Sequence, residues 1–333
     1  MTVSPLVWGL TLGIAVAVLL FDVVVVGRKP HEPSRREVGV ALSVYVGLSI
    51  LFGLGVWLFA GSSYGTEFFA GWLTEYSLSV DNLFVFLILF AKLDVPRRYQ
   101  QSALLIGIIL ALVFRGLFIA VGAAAIAAFS WVFYLFGAFL VYTAVKLVTG
   151  HGDEEDSGDG RAVVWMRRHL PVTDDWHGTR LFARAGGRRV LTPMMLVVAA
   201  LGATDLLFAL DSIPAIYGLT QEPYLVLTAN IFALMGLRQL YFLLGGLLKR
   251  LVYLSYGLAV LLAFIGVKLV LHALHENELP FVNGGHHVGW APDIPIWLSM
   301  TVIVVILAVT TVASLLRSRR DARDTATSEA SPS

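Results

Sequence analysis

The 333-residue chain contains no cysteine. That excludes disulfides, thiolate metal sites, iron–sulfur clusters and cysteine nucleophiles, and leaves oxygen or imidazole to hold any bound metal. Charge is scarce too. Lys, Arg, Asp and Glu make up only 14% of the residues, where a soluble domain carries about a quarter because its surface must face water. A soluble enzyme of ordinary type is excluded, and so is a disordered chain. The net charge of +1 gives no sign of a nucleic-acid partner. No glycine-rich phosphate loop is present, so nothing points to ATP-driven transport. What the chain has in excess is apolar residues, 57% of the total with a mean hydropathy of +0.78. Nine membrane spans of about 20 residues each would use most of them.

Runs of spanning length lie near residues 4–26, 38–60, 67–91, 100–123, 129–148, 193–218, 225–248, 252–274 and 295–316. The first begins at Pro5 with no preceding Lys or Arg and is long enough to span, unlike a signal peptide. Lipid forbids unpaired backbone, so all nine are expected as helices in an all-α polytopic membrane protein. The basic residues support the count, because 20 of the 24 Lys and Arg fall in alternate connecting segments. These hold Arg28, Lys29, Arg35 and Arg36; Lys92, Arg97 and Arg98; seven arginines between spans five and six; Lys249 and Arg250; and Arg317, Arg319, Arg320 and Arg323. The positive-inside rule then places the N-terminus outside and the C-terminus in the cytoplasm.

Spans three to five resemble spans six to eight. Span three carries Glu75-Tyr-Ser-Leu-Ser-Val-Asp81-Asn82 and span six Asp205-Leu-Leu-Phe-Ala-Leu-Asp211-Ser212. Arg115 in span four has a counterpart in Arg238 of span seven, and Lys146 near the end of span five has one in Lys268 of span eight. The offsets are 130, 123 and 122 residues. Three spans separate the copies, an odd number, so the repeat is inverted. That is the architecture of secondary transporters, whose site lies near the midplane between the repeats. The expected divisions are two helices in 1–60, a first repeat in 67–148, a partly folded cytoplasmic loop in 149–191, a second repeat in 192–274, a last span at 295–316 and a disordered tail at 317–333.

A carboxylate in hydrocarbon needs a proton, a cation or a protein partner. Glu75, Asp81, Asp205 and Asp211 all require one. Residues six apart on one helix differ by about 120° in direction and about 9 Å in height, so one straight helix would not aim both acids at one ion. Either each repeat gives different acids to a shared site, or a helix is locally unwound. Pro214 offers a route to unwinding, since it deprives the Leu210 carbonyl of its helical partner. Asn82, Ser212, Asn230, Ser77 and Ser79 add neutral oxygens. Such a hard donor set suits Mn²⁺, Ca²⁺ or Mg²⁺ over copper or zinc. Glu75 and Asp205 could instead carry protons. Arg115 and Arg238 are expected to neutralise the acids or gate the site, with Lys146 and Lys268 as further charge balance.

Other features are weaker. His272, His275, His286 and His287 could capture metal loosely at the last outer loop. Asp153 to Asp159 reads as a linker. Residues 180–190 read as two short strands around Gly186-Gly187. Gly245-Gly246 and the small-residue stretch 120–128 mark close helix packing.

The two acidic motifs, Glu75 to Phe86 and Thr204-Asp-Leu-Leu-Phe-Ala-Leu-Asp-Ser-Ile-Pro-Ala215, resemble the paired signatures of the TerC family. Asn230-Ile-Phe-Ala-Leu-Met-Gly-Leu-Arg238, Arg28-Lys-Pro-His31, Leu170 to Asp174 and His177-Gly178 fit as well. The resemblance spans roughly residues 5–275. It implies kinship with the LysE-type transporter superfamily and export of manganese, with tellurium resistance as an indirect effect. Carried over, it makes Glu75, Asp81, Asn82, Asp205, Asp211 and Ser212 the candidate site.

The leading expectation is a cell-membrane exporter of divalent cations, foremost Mn²⁺, coupled to protons, in a bacterial inner membrane. It implies no tightly bound cofactor, no nucleic acid, the lipid bilayer as surroundings, and membrane-protein partners or a homo-oligomer as further options. The alternative is a non-transporting scaffold of a stress-response or membrane-protein-insertion complex, working through loop 150–191. An intramembrane enzyme with an aspartate dyad is the weakest reading.

Overall fold

The structure is a computed structural model. It describes residues 3–28, 34–129, 131–149, 165–166, 168–185, 188–244, 253–275, 277, 279, 283, 286, 288–292 and 294–329. A few side chains inside these stretches, those of Asp22 and Asp81 among them, lie outside the description, as do Asp153 to Asp159, Gly245-Gly246 and His287.

Helix α1 is Pro5–Arg28, with proline at a first position where its missing N–H costs nothing. Helix α2, Arg35–Ala60, opens on a capping box in which Ser34 and Glu37 satisfy each other's backbone N–H. Gly61 alone joins α2 to α3, Ser62–Lys92, at φ 116°, a conformation closed to side chains larger than hydrogen. The chain reverses there, and a Cβ on Gly65 would strike Trp57 while one on Gly53 would strike Phe69. Residues 62–66 of the connection expected at 61–66 are therefore part of α3.

Helix α4 is Arg97–Ala128 and α5 is Val132–Thr149. After the extramembrane segment come α6, Pro193–Tyr217, capped by Thr192, then α7, Pro223–Met235, and α8, Leu237–Leu244. Helix α9, Leu254–His275, and α10, Ile296–Glu329, complete the order. Among the described residues, eight segments are long and apolar enough to cross a membrane, with α7 and α8 counted as one. The apolar stretch of α1 reaches from Pro5 to Val18 among the described residues. Helix α10 runs past the apolar boundary at 316 to Glu329, its polar extension propagating from a helix already nucleated.

Two expectations about local backbone are corrected. Pro214 does not unwind its helix: α6 passes through it to Tyr217, and Gly218 N donates to Pro214 O at 3.0 Å. The proline sits in the last turn, packed among buried Ile213, Ala215 and Ile216, where one missing bond disturbs little. The interruption comes instead in span seven, at Gly236, between α7 and α8.

Helices α3, α6 and α7 bury their residues on several faces, whereas α2 and α10 leave wide apolar faces open, with Leu58 and Phe59 of α2 and Val305 and Val309 of α10 exposed. Apolar surface on this scale is suited to lipid and unsuited to water. The pair α5 and α9 pack at backbone distance. A Cβ on Gly137 would lie 2.8 Å from Gly266 O, and one on Gly266 would lie 2.9 Å from Gly137 O.

Outside the spans, β1 (Phe182–Ala185) and β2 (Arg188–Leu191) form an antiparallel hairpin about Gly186-Gly187. A parallel bridge from Val172 to Leu191 adds a third short stretch. The hairpin is tied to α6 through Thr192, whose Oγ1 donates to Arg180 O at 2.6 Å and accepts from Met195 N at 3.4 Å. Trp176 stacks on Tyr99 near the start of α4, with centroids 5.6 Å apart.

Candidate functional site

Charged side chains from three helices meet at mid-span. Glu75 lies 13 residues into α3 and Asp205 lies 12 residues into α6, about 18–20 Å along each at 1.5 Å per residue. Arg115 of α4 stands between them and is fully buried. Its Nη1 forms an ion pair with Oε1 of Glu75 and donates to Oδ1 of Asn230, in α7, at 3.1 Å. Its Nη2 donates to Oδ1 of Asp205 at 3.4 Å. The Asn230 amide is oriented by its own helix, since Nδ2 donates to Val226 O at 3.1 Å. One guanidinium thus collects three side-chain oxygens from three helices, a geometry that the planar five-donor group allows and an ammonium does not.

Within the described residues the arrangement leaves buried polar atoms unsatisfied, the Arg115 Nε donor among them. Glu75 Oε2 and Asp205 Oδ2 are buried and accept no hydrogen bond among the described residues. Ser79 Oγ and Ser212 Oγ are buried and likewise lack a partner there. Orphaned buried oxygens are costly, and they are what a cation or a donor would be drawn to.

Among the other candidates, Asp211, Ser77 and Arg238 have polar partners elsewhere. Asp211 follows Asp205 by six residues on an unbroken helix, so it points about 120° away. It faces α5, where Thr143 Oγ1 donates to its Oδ1 at 3.0 Å and the Lys146 ammonium attracts it. Lys146 itself is exposed, and Asn82 is buried on α3. Ser77 Oγ donates to Leu73 O at 2.7 Å and so is used by its own helix. Asp81 lies on α3, and its side chain is outside the described residues. Arg238 is buried just past the Gly236 break, with Nη2 donating to the Gln239 amide oxygen at 3.0 Å. Glu75 and Asp205 therefore meet at the bridge, and Asp211 stands apart from them. Among the described residues, no three His, Asp or Glu side chains are grouped to hold a metal ion.

Lys268 lines a separate depression of about 300 Å³ with Glu67, Glu222, Gln221 and His272. Here His272 Nε2 lies 2.9 Å from Gln221 Nε2, and His275 and His286 do not line the depression. Glu67 was not anticipated. It accepts from Thr220 Oγ1 at 2.6 Å and from Ser63 Oγ at 3.3 Å. Its position eight residues before Glu75 on the same helix, about 12 Å away, was the available signal. Thr143 was also missed, because a threonine in an apolar helix carries no mark of its own.

Residues 60–322 match the integral membrane protein TerC family. An uncharacterized membrane protein of Mycobacterium tuberculosis is 48% identical over 328 residues, covering 97% of this chain and 82% of that protein. An uncharacterized membrane protein of Myxococcus xanthus is 37% identical over 316 residues, 95% of this chain and 94% of that one. Alx of Escherichia coli (strain K12), named as a candidate membrane-bound redox modulator, is 40% identical over 277 residues, 80% of this chain and 86% of Alx. No solved structure matches. With its buried charges at mid-span and eight segments among the described residues long and apolar enough to cross a membrane, the chain is an integral membrane protein and belongs to the TerC family.

Proposed function

We propose that the protein is a carrier of divalent cations which exports Mn²⁺ from the cytoplasm in exchange for protons. The observation that carries this reading is the Arg115 bridge. Two carboxylates from different helices, α3 and α6, are buried at mid-span and held by one positive charge. With both ionised, the set has one negative charge in excess, which a proton or a cation would balance. Arg115 then acts as a tethered cation that fills the site between transport events. An incoming Mn²⁺ displaces the guanidinium and takes oxygens of Glu75, Asp205 and Asn230, with water completing its shell. Three hard oxygens and no sulfur or imidazole favour Mn²⁺, Mg²⁺ and Ca²⁺ over softer metals. Selection of Mn²⁺ and the outward direction follow from the family resemblance.

The broken span lends itself to movement. Gly236 separates α7, which carries Asn230, from α8, which carries Arg238. A rotation of α7 about that break would withdraw Asn230 from the bridge. Asp211, Thr143 and Lys146 form a second polar station through which the ion or the returning proton passes. A redox role of the kind named for Alx is reached here through metal supply, since a chain without cysteine performs no thiol exchange of its own.

Flux into proteoliposomes across an imposed pH gradient tests the proposal, with Mn²⁺, Mg²⁺ and Ca²⁺ compared. Mn²⁺ flux that responds to the gradient is the expected result. A wild-type protein inert to all three ions overturns the carrier and leaves the scaffold reading.

A further inference from the structure

The segment between α5 and α6 takes no part in the mid-span bridge, and positive charge gathers locally on its hairpin. Its described residues between 165 and 192 include Arg168, Arg180, Arg184, Arg188 and Arg189 against only Asp174 and Asp175. The hairpin register sets Arg184 directly opposite Arg189. Like charges at opposed positions destabilise a hairpin unless something negative lies between them. Both side chains are exposed, and among the described residues Arg180, Arg184 and Arg189 have no carboxylate partner. These three arginines, His177, Phe182 and Ala183 line an open depression of about 850 Å³, and among the described residues that line it none is acidic.

The position of the hairpin identifies its partner. The Arg180 carbonyl is bonded to Thr192, the N-cap of α6, and Trp176 stacks on Tyr99 near the start of α4. The depression therefore sits beside the ends of two spanning helices, where lipid headgroups are within reach of such a site. Phe182, 53% exposed, stands beside the arginines and offers an apolar ring to an acyl chain. A free anion would need the arginines but not the exposed aromatic side chain or the fixed position on the helix ends.

We propose that this hairpin is a binding site for the phosphate group of an anionic phospholipid, with Arg180, Arg184 and Arg189 holding the phosphodiester oxygens and Phe182 reaching toward the glycerol and acyl boundary. Guanidinium groups pair with phosphate oxygens in parallel hydrogen bonds, which gives geometry as well as attraction. The lipid supplies the charge that the cross-strand arginine pair lacks, so the hairpin and its headgroup stabilise each other.

Native mass spectrometry of the full chain in detergent, with phosphatidylglycerol or phosphatidylcholine added, tests this. Wild type is expected to retain phosphatidylglycerol over phosphatidylcholine by about tenfold, and Arg184→Gln/Arg189→Gln to lose that preference. Should the double variant fail to fold, Arg184→Gln alone serves, because it relieves the opposed charges. It should match or exceed wild type in thermal stability with phosphatidylcholine and fall below it with phosphatidylglycerol. Equal retention of phosphatidylglycerol by wild type and variant overturns the proposal. So does displacement of that lipid by millimolar inorganic phosphate, which would make the site one for a free anion.

Discussion

Removal of the guanidinium at position 115 is the most informative perturbation of the buried bridge. At 3.4 Å and an effective dielectric of about 20, one guanidinium–carboxylate contact is worth on the order of 5 kcal/mol before desolvation is charged against it. Deleting one partner of a buried pair costs about 3–5 kcal/mol, because the other charge stays buried alone. Arg115→Gln leaves Glu75 and Asp205 with no counter-ion between them, so the variant should melt well below wild type in detergent with EDTA present. Mn²⁺ should then do what the arginine did. At a hundred times its dissociation constant a bound ion contributes about 2.7 kcal/mol, enough to restore much of the loss. In the wild type the ion must first displace the tethered cation. If that displacement costs about 3 kcal/mol, its removal raises Mn²⁺ affinity about 100-fold. Turnover should fall at the same time, since nothing remains to expel the ion. Arg115→Lys should recover stability only in part, as an ammonium cannot reach all three oxygens. Thermal melts and Mn²⁺ titrations on the three proteins read these quantities. An Arg115→Gln protein as stable as wild type in EDTA, or one with weakened Mn²⁺ affinity, refutes the reasoning.

Two packing predictions stand apart from the site. Gly137→Ala or Gly266→Ala puts a methyl group 2.8 or 2.9 Å from a facing carbonyl oxygen, so α5 and α9 must separate, at about 1–3 kcal/mol of stability, read as a lower melting temperature. Gly61→Ala meets open space but holds φ at 116°, so its cost of about 1–3 kcal/mol comes from backbone strain alone; a variant as stable as wild type would show that the α2–α3 reversal adjusts freely.

The spans were legible because lipid turns apolar length into a helix, and because arginine and lysine gather in alternate connections. The acids were legible for the same reason: Glu75, Asp205 and Asp211 stand out in apolar runs. Which of them meet was not legible. Spacing on α6 showed that Asp205 and Asp211 diverge, but only packing reveals that α3 and α6 lie against each other and that α4, packed on α6, brings Arg115 to both acids. Pro214 drew attention as a helix breaker, yet a proline in a last turn is tolerated. The actual interruption at Gly236 had no proline to announce it. Glu67 was read as a boundary residue because the turn before it was expected to be loop. Gly61 reverses the chain in a single residue, so α3 begins at Ser62 and Glu67 lies inside the helix and not at its start. The hairpin was readable from Gly186-Gly187 between arginine-bearing flanks, while the tie of its base to α6 through Thr192 needed the third dimension.

The claim that cations pass between α3 and α6 at the Arg115 bridge is tested most directly by Mn²⁺ flux in proteoliposomes containing Glu75→Gln, Asp205→Asn or both. Asp175→Asn, on the extramembrane segment, serves as control. The account predicts that each bridge variant inserts normally and loses at least about 90% of flux, a barrier rise on the order of 1.4 kcal/mol or more, while the control matches wild type. Wild-type flux through the double variant would contradict it.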